Sequence, residues 1–216
     1  MKEDSVLLID KPAGITSFGV VARIRRRLSQ QLGKKTKVGH TGTLDPFATG
    51  LMIIVTGKEC RNAMNYSKLD KEYEATIRLG ATSTTGDPEG TLTPISTTQP
   101  DEATIKAVLQ RFTGEITQTP PAFSAIKVNG RRAYDLAREG KTVEIPARQI
   151  TIYSLELLSY KYPDIRIRVH VSSGTYIRSL AEDIGTVLKT GAYCTELRRT
   201  KVGKWSVKDA VPVAKD

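Results

Sequence analysis

A histidine and an aspartate stand five residues apart in the turn-rich segment GHTGTLDPFATG, residues 39–50. Segments dense in turn-forming residues expose their side chains, so His40 and Asp45 are candidates for acid–base or nucleophilic chemistry. A Ser-His-Asp hydrolase is disfavoured, because no G-x-S-x-G elbow occurs and the chain has only two histidines. The same shortage of ligands disfavours a His/Asp metal site. Taken alone, the pair is more simply explained as a turn aspartate and a loop histidine.

Neither of two common phosphate-binding loops is present. The segment GKKT at 33–36 lacks the upstream glycine of a Walker loop, since Leu28 stands there, and no GxGxxG occurs. Nucleotide hydrolysis and dinucleotide binding are therefore disfavoured.

The charge balance predicts a polyanionic partner. The chain has 33 Lys and Arg against 23 Asp and Glu, which gives a net charge of +10. Eight of the basic residues and no acid fall between residues 11 and 44, and further basic groups lie at 127–138 and 198–208. No apolar run approaches the roughly 20 residues that span a bilayer, so nucleic acid is the expected partner.

The first basic group coincides with a predicted amphipathic helix. Apolar residues recur at helical spacing behind the caps Thr16 and Ser17, and Gly33 follows as a stop signal; they are Phe18, Val21, Ile24, Leu28 and Leu32. Two interpretations stay open: a solvated surface helix, or a helix whose cations bind phosphates.

Strand and helix patterns alternate along the chain and predict an α+β fold. Alternation predicts strands at 72–79 and 165–171, and further strands are expected near 6–9, 51–56 and 150–158. Helices are predicted at 98–112, where Thr98 and Asp101 form a capping box, at 133–139 and at 176–188. The Pro- and Gly-rich stretch 117–148 is expected to leave the body of the fold. The length favours one domain.

Six ordered motifs carry a family resemblance. They are KPAGITS at 11–17, the 40–50 loop, KEYEA at 71–75, GDPEG at 86–90, QTPPAFSAIK at 118–127 and SSGTYIRSL at 172–180. Through them the chain resembles the TruB-type tRNA pseudouridine synthases over nearly its full length. The resemblance implies a mixed, largely antiparallel sheet with flanking helices, and a thumb at 117–148 that clamps RNA. It also implies one catalytic domain over 1–216 without a C-terminal PUA domain. Thr84 stands where these enzymes commonly have an aspartate.

The resemblance further implies a reaction, the isomerisation of uridine 55 in the T loop of tRNA to pseudouridine, without cofactor or metal. Asp45 would be the essential carboxylate, either attacking the sugar or removing a ribose proton. Arg178 would pair with Asp45 and keep it ionised. Tyr73 would stack on the flipped uracil, although its pattern alone also suits a core strand residue.

The remaining residues implied by the resemblance contact the RNA. Tyr176 and Leu197 would line the uracil pocket, and His40 would support the flipped base or fill its place. Lys11, Lys127 and the basic helix would hold the RNA backbone.

The expected partner is the T stem-loop of tRNA, with no guide RNA and no membrane, and the chain is expected to be a monomer. Its two well-separated cysteines, and a start that does not match a signal peptide, predict a cytoplasmic protein. Two alternatives remain: the same reaction on another RNA, including a guide-dependent one, or an RNA-folding chaperone.

Overall fold

Short and long strands alternate with five α-helices in this computed structural model, which describes residues 3–128 and 130–213. The first part of the chain contains β1 (Ser5–Lys11), α1 (Ser17–Leu32), β2 (Val38–His40), β3 (Thr49–Thr56), a 3-10 helix (Gly57–Asn62), α2 (Ala63–Ser67), β4 (Lys71–Leu79), β5 (Ala81–Ser83) and β6 (Leu92–Pro94).

The second part begins at α3. It contains α3 (Glu102–Arg111), β7 (Gly114–Gln118), β8 (Lys127–Val128), β9 (Arg131–Arg132), α4 (Ala133–Arg138), β10 (Arg148–Lys161), β11 (Asp164–Val171), α5 (Ile177–Val187), β12 (Ala192–Val202), β13 (Trp205–Ser206), a 3-10 helix (Val207–Asp209) and β14 (Val211–Pro212). The predicted α+β class is confirmed.

Helix α1 begins and ends where its capping residues predict. The Thr16 hydroxyl accepts a hydrogen bond from the backbone N–H of Gly19 at 2.9 Å, and Gly33 ends the helix at φ 66°. The predicted apolar face is wrong at Phe18, whose side chain is 65% exposed and stacks beneath the Arg25 guanidinium. Phe18 lies in the first turn of the helix, outside the buried stripe of Val20, Val21, Ile24 and Leu28.

The structure divides into two compact units, one formed by residues up to 73 with those from 198 onward, the other by residues 74–197. In the first unit β3 is the central strand. It pairs antiparallel with β1, from Ser5↔Thr56 to Lys11↔Gly50, and with β2. Residues 198 and 199 of β12 pair parallel with the start of β3. This strand arrangement sets the two ends of the loop that carries Asp45.

In the second unit the strand order is β12-β4-β11-β10-β7. Alternation along β4 and β11 predicts their inward faces correctly, since Ala75, Ile77, Ile165, Ile167 and Val169 are all buried. Helix α3 begins later than predicted. Asp101 is its cap and accepts from the N–H of Thr104 at 2.7 Å, whereas Thr98 lies outside the helix.

The 117–148 stretch contains the small β8–β9 hairpin and α4, apart from the strands at its two ends. Residue 129 in its turn lies outside the described residues. No helix in the described ranges is both long and apolar enough to cross a bilayer.

Candidate active site

Asp45 is carried by the loop of residues 41–48 between β2 and β3, here called the Asp45 loop. Its side chain is partly exposed. A turn closes the loop behind it, where the N–H of Ala48 donates to the carbonyl of Asp45 at 3.2 Å. At the loop's start, the N–H of Thr41 donates to the carbonyl of Ile53 at 3.1 Å. The backbone around the carboxylate is therefore tied to β3.

The KPAGITS segment, residues 11–17, supports the loop from the side of β1 and α1. The Ser17 hydroxyl donates to the carbonyl of Leu44 at 2.9 Å and accepts from its N–H at 2.8 Å. The N–H of Gly14, a residue at φ 79°, donates to the carbonyl of Pro46 at 2.9 Å. The residues on both sides of Asp45 are thus held by one sequence motif, which explains why KPAGITS and the loop belong together.

Lys11 is not available to an RNA backbone, which corrects the sequence expectation. Its side chain is fully buried, and its ammonium donates to the carbonyls of Ile15 at 2.8 Å, Pro12 at 2.9 Å and Pro46 at 3.2 Å. Lysine is rarely buried unless its charge is satisfied, so sequence reasoning assigned this cation to the surface. In the structure Lys11 links the KPAGITS segment to the residue after Asp45.

Arg199 contacts the same loop from β12, a role that sequence reasoning missed. Its guanidinium donates to the carbonyls of Leu51 at 2.7 Å, Gly42 at 3.1 Å and Thr43 at 3.4 Å. The side chain is only 2% exposed. The sequence placed Arg199 merely in a C-terminal basic group, and no local spacing relates it to residues some 150 positions earlier.

Buried cations shape the electrostatics of the first unit. Burial lowers the pKa of Lys71 to about 8, and the charge of Arg199 adds to that effect. The Lys71 ammonium donates to the carbonyls of Ser67 and Leu69, so backbone dipoles satisfy it. Lys11, Lys71 and Arg199 are thus three buried cations of the first unit whose donors bind backbone carbonyls.

Two further predicted site residues lie in the first unit. Tyr73 is buried on the inward face of β4 at 8% exposure, on the side that Ala75 and Ile77 share. His40 is the last residue of β2, is partly exposed and pairs in register with Ile54. Their predicted contacts with the flipped base stay predictions.

In the second unit Arg178 is held by a buried network at the start of α5. Its guanidinium donates to the carbonyls of Thr85 and Phe123, the latter at 2.8 Å, and lies 3.5 Å from the Asp87 carboxylate. Arg178 and Asp87 are both buried. Asp87 belongs to the GDPEG motif that the sequence analysis singled out, but the sequence suggested no role for this residue. The predicted pairing of Arg178 with Asp45 stays a prediction.

Tyr176 is fixed at the first residue before α5. Its N–H donates to the side-chain oxygen of the buried Gln118 at 2.8 Å, and its carbonyl accepts from the Gln118 amide at 3.0 Å. The Arg148 guanidinium lies 5.1 Å from the centre of its ring. A flat aromatic with a fixed backbone is suited to stack on a base.

Leu197 and Lys127 complete the predicted set. Leu197 is buried on β12 at 8% exposure, and its place in the uracil pocket stays a prediction. Lys127 is exposed on β8, where its charge is accessible to phosphates. Across residues 3–128 and 130–213, no group of His, Cys, Asp and Glu is placed to hold a metal ion.

Two family models together match most of the chain. The model described as TruB family pseudouridylate synthase, N-terminal domain, matches residues 26–177. The model described as tRNA pseudouridylate synthase B C-terminal domain matches residues 178–215. The boundary between them falls at Arg178.

Curated relatives are similar over nearly the whole chain. A protein of Phocaeicola vulgatus named tRNA pseudouridine synthase B is 50% identical over 217 residues, which cover 98% of this chain and 91% of that one. Proteins of the same name are 48% identical in Bacteroides fragilis, with 99% and 93% covered, and 47% identical in Burkholderia mallei, with 96% and 67% covered.

Solved structures share the fold. A chain from a structure titled as a Cbf5-Nop10-Gar1 complex aligns with a TM-score of 0.74 and 31% identity, covering 98% of this chain and 53% of that one. A chain from an H/ACA RNP bound to a substrate RNA containing 2'-deoxyuridine aligns with a TM-score of 0.70 and 28% identity, covering 97% and 51%. This chain therefore spans about half the length of those solved relatives.

Proposed function

We propose that this chain, which belongs to the TruB family of pseudouridylate synthases, isomerises uridine 55 in the T loop of tRNA to pseudouridine. The observation that carries the proposal is the Asp45 loop, a partly exposed carboxylate whose neighbouring residues are tied by Ser17, Lys11 and Arg199. Such preorganisation is what a reaction at one fixed sugar carbon requires. A protein that only bound RNA would gain nothing from it.

The reaction exchanges one bond to the ribose for another. The bond from uracil N1 to the anomeric carbon breaks, the base turns, and its C5 bonds to the same carbon. C5 then loses its proton, and N1 ends with one. Asp45 either attacks the sugar or removes a ribose proton, and both roles need an ionised carboxylate.

The other site residues handle the base and the RNA. Tyr73, Tyr176 and Leu197 would form the uracil pocket, and His40 would support the flipped nucleotide. Arg178, held by Asp87, would supply a fixed positive charge opposite Asp45. The exposed Lys127 would hold phosphates, so RNA shape rather than base contacts would do much of the selecting. We propose that the chain needs no cofactor and acts as a monomer in the cytoplasm.

A direct test is release of tritium from C5 of labelled uridine in a tRNA transcript. The wild type should release one equivalent, whereas Asp45→Asn should release none and bind the transcript within about tenfold, or ~1.4 kcal/mol, of the wild type. Asp164→Asn is the matched control, because that carboxylate pairs with Arg78 far along the chain from the loop residues. It should react normally.

The outcomes separate the candidate functions. Release by wild type that disappears when nucleotide 55 is cytidine supports the proposal in full. Release from other RNAs only would favour the same reaction on a different target. Absence of release with tight tRNA binding would favour a chaperone.

Dependence on a guide RNA is a second candidate, since one of the similar solved chains comes from an H/ACA RNP bound to a substrate RNA. The names of the curated relatives, at 47–50% identity, support the stand-alone reaction instead. Turnover on a tRNA transcript with no other RNA present would exclude guide dependence.

A further inference from the structure

We infer that Arg199 is a positioning residue for the reaction, which sets the place of Asp45 by fixing the backbone at both ends of its loop. The inference rests on the proposed function, because it takes Asp45 as the reacting carboxylate. Arg199 itself contacts no reacting atom in this assignment. It acts through the carbonyls that it binds.

The three acceptors of Arg199 lie on both sides of Asp45 in the sequence. Gly42 and Thr43 precede the aspartate, and Leu51 follows it in β3. One buried guanidinium therefore binds both the entry and the exit of the loop. The guanidinium is suited to this task because its donors form a planar fork, which a lysine ammonium cannot reproduce.

Close packing of β12 against β3 fixes the backbone position from which the Arg199 side chain extends. Arg199 pairs in register with Gly50, and a Cβ atom at Gly50 would stand 2.3 Å from the Arg199 carbonyl oxygen. Gly50 is also at φ 104°, which disfavours any other residue. The backbone of Arg199 thus lies against the exit of the Asp45 loop, and its side chain reaches back to the entry.

The charge of Arg199 argues against a purely structural role. Within the described residues the 2% exposed guanidinium has no carboxylate at ion-pair distance, and carbonyl groups alone satisfy it. Burying an unpaired charge is costly, and an apolar side chain of similar volume could fill the same space. A fixed position and a positive charge beside the loop are what Arg199 adds, and both serve an ionised Asp45.

The test is single-turnover pseudouridine formation by Arg199→Lys with enzyme in excess over tRNA. This variant keeps the charge and removes the fork. With enzyme in saturating excess, a smaller folded fraction leaves the rate constant unchanged, whereas a displaced Asp45 lowers it. We expect the rate constant to fall about 100-fold, the effect of a displacement of about 1 Å, with tRNA affinity within threefold.

Arg78→Lys is the control for the chemical change, because Arg78 forms a surface pair with Asp164. Its rate constant should match the wild type. An unchanged rate constant in Arg199→Lys, with or without a loss of amplitude, would overturn the inference. Asp45→Asn in the same series separates the two proposals, because turnover by that variant would overturn the proposed function instead.

A second variant applies if Arg199→Lys does not fold. Gly42 lies on the partly exposed loop, and a Cβ atom there would already stand 3.5 Å from one guanidinium nitrogen of Arg199. The branched side chain of Gly42→Val would displace the fork without changing the buried strand. Its rate constant should fall at least tenfold with tRNA affinity retained, and a wild-type rate constant would overturn the inference.

Discussion

The Asp45 loop and the thumb hairpin (β8, β9 and α4) are both irregular, polar parts of the chain, yet they are held in opposite ways. Buried donors from β1, α1 and β12 bind the backbone of the Asp45 loop. The thumb is held largely at its surface, for example by the exposed pairs of Glu139 with Arg131 and Lys141. Those cations lower the pKa of Glu139 to about 2.

The two kinds of contact give the two regions different rigidity. A buried hydrogen bond that loses its partner costs ~1–3 kcal/mol, so the Asp45 loop has few alternative conformations. Exposed ion pairs contribute little to stability because water and salt screen them, even where a pKa is strongly shifted. The thumb hairpin is therefore freer to change conformation than the Asp45 loop, which suits the RNA clamp and the fixed carboxylate that we propose for them.

Of the two regions, the Asp45 loop should show the larger effect when the buried ammonium that binds it is removed. Lys11→Met should lower kcat about 100-fold, because the carbonyl of Pro46 loses its donor and Asp45 shifts. Affinity for tRNA should change less than threefold, since the side chain is buried. Steady-state kinetics and filter binding would check this, with Lys106→Met, a lysine paired at the surface with Glu102, as control. A variant that lost binding and kept kcat would restore Lys11 to the RNA interface.

A smaller effect is expected on stability, because the free energy of unfolding should depend on pH through the titration of the buried Lys71. The pKa of the folded state, about 8, lies below the ordinary 10.5, so the unfolded chain binds more protons between these values. Below pH 8 the folded protein carries the full cost of burying the Lys71 ammonium. As the pH rises from about 8 to 10.5 the buried amine has lost its proton while the unfolded chain still binds one, so the free energy of unfolding increases over this range. Lys71→Met lacks this gain.

Urea denaturation of both proteins at pH 7.5 and 9.5 measures the Lys71 effect. The difference in unfolding free energy, wild type minus variant, should move in favour of the wild type at the higher pH. A difference that stays constant would mean that Lys71 titrates normally, and that burial beside Arg199 does not disfavour its charge.

The smallest expected effect is on the thumb. Lys127→Gln should raise the KM for tRNA about threefold and leave kcat unchanged, because an exposed cation contributes one phosphate contact. The slope of log affinity against log salt should fall by about 0.9. A fall in kcat at saturating tRNA would show that the thumb also positions the reacting groups, and the contrast between the two regions would disappear.

Much of the fold could be predicted because its causes are local. Thr16 and Gly33 set the ends of α1, and alternation sets the buried faces of β4 and β11. Phe18 is exposed although its spacing predicted a buried position, and α3 begins after Asp101 rather than after Thr98, because periodicity alone does not show where a helix meets its neighbours. Strand β12 was missed because its sequence, AYCTELRRTKV, alternates poorly and is rich in charge.

The candidate site, like the fold, could be predicted from the sequence only in part. The sequence alone predicted the family and offered Asp45 as the candidate carboxylate, because six motifs in a fixed order resemble those of the TruB-type enzymes. The contacts of Lys11, Arg199 and Asp87 became known only from the tertiary structure. Their partners are carbonyl groups and a guanidinium that distant segments bring close, and a cation's identity does not reveal whether it faces water or a buried loop.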